Sequence, residues 1–497
     1  MQKTTYRRVR MDSAQHWRIR LTALVLGLLG FLGVAARLAK LMVVDYDYYA
    51  AKALNNQTRS TAAASDRGLV YDRNMNILAS SVGVENVYLD PHELKQSGAD
   101  LNAVSAFLAP LLDREPEWIL EQGQDFRRRY KQVGSRISEE TAQKIRGFIQ
   151  ENAVSGIHLE PAAMRTYPFG TLAAQVIGFT NLSGQGSEGV EAAYDSFLSG
   201  KTGKVITTKG NNEMDMPFSY EGFTASHSGC SVVLTLDATV QEILEKQLRA
   251  AIDRYDVQNG AFGLVMNCKT GEILAMATLG SYDPNDYQLV WDEETRQSLE
   301  DMRLAYERCP QGSPEYTAGK QAYDAALTQA RLKQWRNRCV SDGYEPGSTF
   351  KLVTMAAALD SGSVTVNDSF YCGGHEDFKG RDQTLSCWKA AGHGAETLEE
   401  ALGNSCNIAF GHIDLRIGGE EFYDYINSFG FLEQTGVDLP GEAKGLFFSK
   451  ADLSGASTAS LISASFGQTF RITPIQLVRA VAAIVNGGYL LEPHVVS

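Results

Sequence analysis

Between Arg20 and Arg37 the chain carries no charge, and Leu, Val, Ala and Gly fill nearly every position from Leu21 to Ala36. That uncharged run is shorter than the ~20 residues that cross a bilayer. Arg20 and Arg37 can snorkel on their apolar stems, however, and Leu38 to Val44 continues mostly apolar. The pattern predicts a transmembrane helix over 21–44 behind a tail of residues 1–20. From 45 to 235 the pattern changes to short β-like runs, such as Gly68–Leu78 and Lys204–Thr208. Helical stretches such as 117–129 and 139–152 alternate with them. From 236 to 497, Gly263–Met276 reads as a hairpin of buried strands with Gly271 in its turn. A polar, helical excursion follows from about Glu293 to Arg338, and helices dominate from Ser348 to Asn486. The fold class predicted is α/β (α+β): a membrane helix, a mixed domain, then an antiparallel sheet flanked by helices. No internal repeat or low-complexity linker interrupts this order.

Charge sharpens the topology. The chain has a net charge of −13, which argues against nucleic acid as a partner of the main body. Lys3, Arg7, Arg8, Arg10, Arg18 and Arg20 nevertheless crowd the start, against Asp12 alone. The positive-inside rule then puts the tail in the cytoplasm and everything after the helix outside. Val34-Ala35-Ala36 would suit a signal-peptide cleavage site, but the helical pattern runs through it, which favours an uncleaved anchor.

The candidate chemistry starts at Tyr344-Glu345-Pro346-Gly347-Ser348-Thr349-Phe350-Lys351. A Pro-Gly turn delivers Ser348 to the start of an alanine-rich apolar helix. Lys351 falls one turn later on the same face, and the helix N-terminus adds positive potential. A serine hydroxyl needs a base, and a lysine becomes one when burial lowers its pKa. The bare S-x-x-K pattern is weak and recurs at Ser386-Cys387-Trp388-Lys389, but no long apolar helix follows there and that copy reads as hairpin. Ser405-Cys406-Asn407 supplies a hydroxyl and an amide between two helical segments. Alone it would read as an N-cap; beside Ser348 and Lys351 it reads as part of a site.

Together these two elements resemble those of the penicillin-interacting serine enzymes. The resemblance extends to Asp66-Arg67-Gly68, Arg165-Thr166-Tyr167-Pro168, Gly186, Glu188-Gly189, Glu191 and Tyr194-Asp195, then Leu234-Thr235-Leu236-Asp237. It continues at Gly436-Val437-Asp438-Leu439-Pro440-Gly441-Glu442 and Ser465-Phe466-Gly467-Gln468. On these motifs the chain is identified as a member of the class B penicillin-binding proteins, with a look of their division and stage V sporulation branch. The resemblance implies an elongated non-catalytic pedestal, or dimerisation domain, at 45–235 and a transpeptidase domain at 236–497. It also implies a D,D-transpeptidase that cross-links peptidoglycan stem peptides through an acyl-enzyme on Ser348 and is trapped by β-lactams. Lys351 would be the base, Ser405 the proton relay and Asn407 a substrate contact. A β-lactam sensor or an idle scaffold is the alternative. The implied partners are stem peptides, β-lactams, the membrane and a polytopic glycan polymerase; the resemblance implies no cofactor and no metal.

Three features sit awkwardly with the family. Its Lys-Thr-Gly strand should follow Gln468 by some tens of residues. Lys201-Thr202-Gly203 and Lys269-Thr270-Gly271 both precede Ser348 and read as turns, so the sequence to Ser497 looks truncated and is expected to label weakly with penicillin. Thr469 stands where many members have glycine. Seven cysteines follow residue 229: Cys372 with Cys387, or Cys309 with Cys339, can form disulfides on an oxidising side, while a reducing envelope would leave them free. Cys372, His375, Cys387 and His393 have spacings that a zinc site also uses, and Cys406 reads as a small buried residue.

Overall fold

The computed structural model describes residues 13–46, 48, 58–63, 66–127, 130–201, 203–208, 222–224 and 227–497. They fall into two compact units, one of Met1–Ala63 with Thr202–Ser226, the other of Ala64–Lys201 with His227–Ser497. In the first unit a helix runs over Ser13–Ala39 and continues through a π-helical turn at Lys40–Val44. Trp17–Val44 is long and apolar enough to cross a membrane, and none of it is buried against protein. The basic residues from Lys3 to Arg10 lie outside the described residues. Strand Gly203–Thr208, which contains the predicted run Lys204–Thr208, pairs antiparallel with Thr58–Ala63 and with Gly222–Thr224.

The second unit opens on a mixed sheet whose centre is the strand Ile77–Leu89. It pairs antiparallel with Ile157–Thr166 from Ser80↔Thr166 to Leu89↔Ile157, and also with Lys131–Ile137. The predicted run Gly68–Leu78 is two strands rather than one. The Asp72 carboxylate accepts from the backbone N–H groups of Asn74 and Asn76, both at 2.8 Å, which folds the chain back between Val70–Tyr71 and Ile77. Helices Pro91–Ser97, Leu101–Leu112, Pro116–Gln124 and Glu139–Glu151 cover this sheet through Leu94, Leu108, Ile119 and Ile145. The helix predicted over 117–129 stops at Gln124. There Asp125 leaves helical geometry and its carboxylate pairs with Lys131 at 2.7 Å.

Three sequence signatures meet in one buried ionic cluster. Glu191, fully buried, accepts from Arg67 Nε at 2.6 Å and from Arg165 Nε at 2.7 Å. Arg67 also pairs with Asp195 at 2.6 Å, and Arg165 donates to the Gly68 carbonyl at 2.8 Å. Charge buried in a low dielectric is tolerable only when paired and hydrogen-bonded in this way.

The remainder of the second unit contains the predicted hairpin, Phe262–Met266 against Ile273–Thr278, with Gly271 in the turn at φ +83°. The Ala238–Tyr255 helix packs on it, capped by the Asp237 carboxylate. The polar excursion is a helix pair, Glu293–Glu307 and Pro314–Trp335, held by Tyr306 against Tyr316 and Tyr323. One core joins Val70, Val176, Tyr282, Cys339, Val437 and Val495. A second, mostly helical core gathers Phe350, Phe410, Phe422, Phe431, Ile462 and Ala480. Each phenylalanine there stabilises the fold by about 1.5–3 kcal/mol through burial. This second core holds the helices Lys351–Asp360, Asn407–Ile417 and Ala459–Ser465 in contact. All seven cysteines are free thiols, so neither disulfide considered from the sequence is formed. Cys339 is instead buried beside the carbonyls of Gly263 and Ala277, each 3.6 Å away.

Candidate active site

The Pro-Gly turn expected before the helix is present, and its glycine is required. Gly347 has φ +59° and donates its N–H to the Gly467 carbonyl at 2.9 Å. A Cβ on Gly467 would stand 2.1 Å from the Gly347 carbonyl oxygen, so backbone meets backbone with no room for a side chain. Ser348 follows in a short 3-10 turn, Gly347–Phe350, that leads into the Lys351–Asp360 helix. Ser348 is exposed, while Phe350 and Lys351 are buried.

Lys351 carries the geometry. Its Nζ donates to Asn407 Oδ1 at 2.8 Å, to the Ser405 carbonyl at 2.8 Å, to Ser405 Oγ at 2.9 Å and to Ser348 Oγ at 3.3 Å. Ser405 Oγ in turn donates to Ser348 Oγ at 2.8 Å. The four residues picked from the sequence are therefore brought together. Ser405 and Asn407 reach the lysine because they sit at the junction between helices Leu398–Gly403 and Asn407–Ile417. Ser405 has φ +53°, a left-handed conformation that costs an L-residue about 1–2 kcal/mol. In that conformation both its carbonyl and its hydroxyl meet the same amine.

Every one of these partners is neutral, and Lys351 is 1% exposed. The Phe410 ring lies 5.3 Å from Nζ; this residue was not singled out in the sequence, although its place three after Asn407 puts it on the same helix face. Burial without a carboxylate lowers the lysine pKa to about 8, against the opposing pull of nearby Cys387 and Cys406. At pH 7 roughly a tenth of the amine is then neutral, against roughly one part in 3,000 for an ordinary lysine. Such an amine can accept a proton from a serine it already touches.

The other candidates fall apart from this group. Ser386 lies in a short strand paired with His375–Glu376, and Lys389 is exposed. Lys269-Thr270-Gly271 is the hairpin turn, and Thr202 of the other copy lies outside the described residues. Thr469 has φ +67°, which explains why glycine suits that position. Of the four residues with zinc-like spacing, His375 is exposed on its strand and does not join the rest. Cys406 takes its place, with its sulfur beside those of Cys372 and Cys387 and a ring nitrogen of His393.

Family models match two stretches: the penicillin-binding protein dimerisation domain over residues 62–234 and the penicillin-binding protein transpeptidase domain over 261–497. The chain is 31% identical over 476 residues to stage V sporulation protein D of Bacillus subtilis, covering 96% of this chain and 66% of that protein. It is 27% identical over 484 residues to the peptidoglycan D,D-transpeptidase FtsI of Escherichia coli, covering 95% of this chain and 71% of the relative. The fold matches penicillin-binding protein 2X from Streptococcus thermophilus with a TM-score of 0.62 and 22% identity, over 88% of this chain and 61% of that one. It also matches the Helicobacter pylori penicillin-binding protein PBP2, solved in complex with MreC, with a TM-score of 0.68 and 22% identity over 88% and 78%. The signatures around Arg67, Arg165 and Glu191, the serine–lysine site and the two matched domains lead to one conclusion: this chain belongs to the class B penicillin-binding proteins.

Proposed function

We propose that the protein is a peptidoglycan D,D-transpeptidase working through a serine acyl-enzyme. The observation that carries this reading is the Lys351 amine, buried among neutral acceptors and in contact with Ser348, Ser405 and Asn407. Neutral Lys351 takes the Ser348 proton as Oγ attacks the carbonyl of the penultimate D-alanine. The C–N bond to the terminal D-alanine breaks, and Ser405 passes a proton to the leaving amine. An amine from a neighbouring stem peptide then attacks the ester, the C–O bond to Ser348 breaks, and Oγ regains a proton. Asn407 exchanges its contact with Lys351 for the substrate amide. Residues 236–497 act as the transpeptidase domain and 45–235 as its pedestal. Residues 21–44 anchor the protein in the membrane with both domains outside the cytoplasm and the tail of 1–20 inside. Gly27, Gly30 and Gly33, whose added Cβ atoms would meet nothing within 4 Å, leave room for a helix of a polytopic glycan polymerase to approach closely.

Mass spectrometry of the full-length protein after penicillin treatment tests the chemistry. The adduct is expected on the peptide that contains Ser348, with none on Ser348→Ala. An adduct on another serine would overturn the assignment. A long-lived adduct together with cross-linking of stem peptides supports the transpeptidase. A long-lived adduct without cross-linking points to a sensor, and rapid turnover to a hydrolase.

A further inference from the structure

Four donor atoms converge beside the turn that carries Ser405. The sulfurs of Cys372, Cys387 and Cys406 and a ring nitrogen of His393 all lie within 4.8 Å of one another. They come from four places in the fold: the end of strand Ser369–Cys372, the residue after strand Leu385–Ser386, the turn before strand Gly394–Thr397, and the cap of helix Asn407–Ile417. The three cysteines are buried and the His393 side chain is 3% exposed. His393 Nδ1 is 3.8 Å from Cys387 Sγ. Around one tetrahedral zinc, with bonds of about 2.3 Å to sulfur and 2.0–2.1 Å to nitrogen, ligand atoms stand ~3.5–3.8 Å apart. The set therefore needs to contract by about 1 Å at its widest, a size for a single ion.

The surroundings are prepared for a cation. The Ala409 N–H donates to Cys406 Sγ at 3.5 Å. The buried Glu396 carboxylate stands beside the cluster: Oε1 accepts from Asn404, while Oε2, 3.8 Å from His393 Nδ1, has no hydrogen-bond donor. The cluster is thus rich in acceptors, and the Glu396 carboxylate beside it has no lysine or arginine as an ion-pair partner among the described residues. Its loop is also tightly built, since a Cβ on Gly392 would stand 2.2 Å from the Cys372 carbonyl oxygen.

We propose that Cys372, Cys387, His393 and Cys406 bind one zinc ion in a closed, structural site. Binding releases the three thiol protons, and the metal joins the two short strand pairs to the turn between Ser405 and Asn407. It holds in place the residue that follows the strained Ser405. This inference concerns metal content and does not depend on the reaction catalysed.

Full-length protein purified from zinc-supplemented medium is expected to hold about one zinc per chain by plasma mass spectrometry, as a closed four-ligand site requires. Exchange with cobalt(II) should give the charge-transfer and visible bands of a tetrahedral thiolate site. Cys372→Ser, His393→Ala and Cys406→Ala should each lose most of the bound zinc, and the control Cys309→Ser should keep it. If those variants fail to fold, the wild-type protein decides: chelation should lower its unfolding temperature, and zinc alone should restore it. Wild-type protein free of zinc, cobalt bands without sulfur character, or a Cys372–Cys387 disulfide in the thiol count would overturn the proposal.

Discussion

Two buried basic groups in this protein have opposite surroundings. Arg67 and Arg165 share the two oxygens of Glu191, and Arg67 takes Asp195 as well. Their charge is answered by charge. Lys351 is at least as deeply buried, yet among the described residues its hydrogen bonds go to carbonyl, hydroxyl and amide oxygens. Those groups solvate an ammonium without neutralising it, so its proton is weakly held. The contrast separates an ionic cluster that locks segments together from a buried amine left to neutral acceptors, whose burial costs stability.

Replacing Lys351 by methionine should break the reactive half. Penicillin acylation of the full-length protein is expected to fall by about 10²–10⁴-fold, the usual loss with a general base. Its urea unfolding midpoint should not fall below that of the parent, since the cost of burying the charged amine is removed with it. A Lys351→Met protein that unfolds as readily as the next variant would place Lys351 among the structural ions instead. Glu191→Ala should do the reverse. It strands two guanidinium groups and should cost about 3–5 kcal/mol of stability, with acylation retained in whatever protein remains folded.

The pH dependence sharpens the comparison. The folded-state pKa of Lys351 lies near 8, below the ordinary 10.5, so between those values the unfolded chain binds more protons. Stability should therefore rise with pH across that window, and the penalty, about 3 kcal/mol for such a shift, is present in full below pH 8. Acylation rate should climb about tenfold per unit below that pH and level off above it, as the neutral amine titrates. A flat profile from pH 6 to 9 would remove Lys351 as the base. The smallest effect belongs to Thr469→Gly. Relief of the left-handed backbone, worth about 1–2 kcal/mol, is partly offset by the greater freedom of glycine in the unfolded chain. A net gain under about 1 kcal/mol should appear in urea unfolding.

The serine–lysine pair was legible in the sequence because it is local: a Pro-Gly turn, a helix and three-residue spacing determine it. Ser405 and Asn407 were legible through their motif, although nothing in the letters foretold the left-handed backbone at Ser405. The two-strand reading of Gly68–Leu78 was missed because an Asp72 turn, rather than a glycine or proline, breaks the run. The cysteine cluster was half visible. Spacing proposed His375, a near neighbour in sequence, whereas the fold selects Cys406, which arrives from the far side of a helix junction. Arg67, Arg165 and Glu191 stood in separate signatures, and only tertiary structure brings them together.

The core that joins Val70 to Val495 has a consequence in time. Strand Val70–Tyr71 pairs with Val232–Val233, and Leu234 bridges to Val496. Contacts this distant in sequence close late and slowly. During synthesis Val70–Tyr71 must wait for Val232–Val233, and Leu234 must then wait until Val496 emerges. Over that interval the nascent chain is open to proteases and to pairing with other strands.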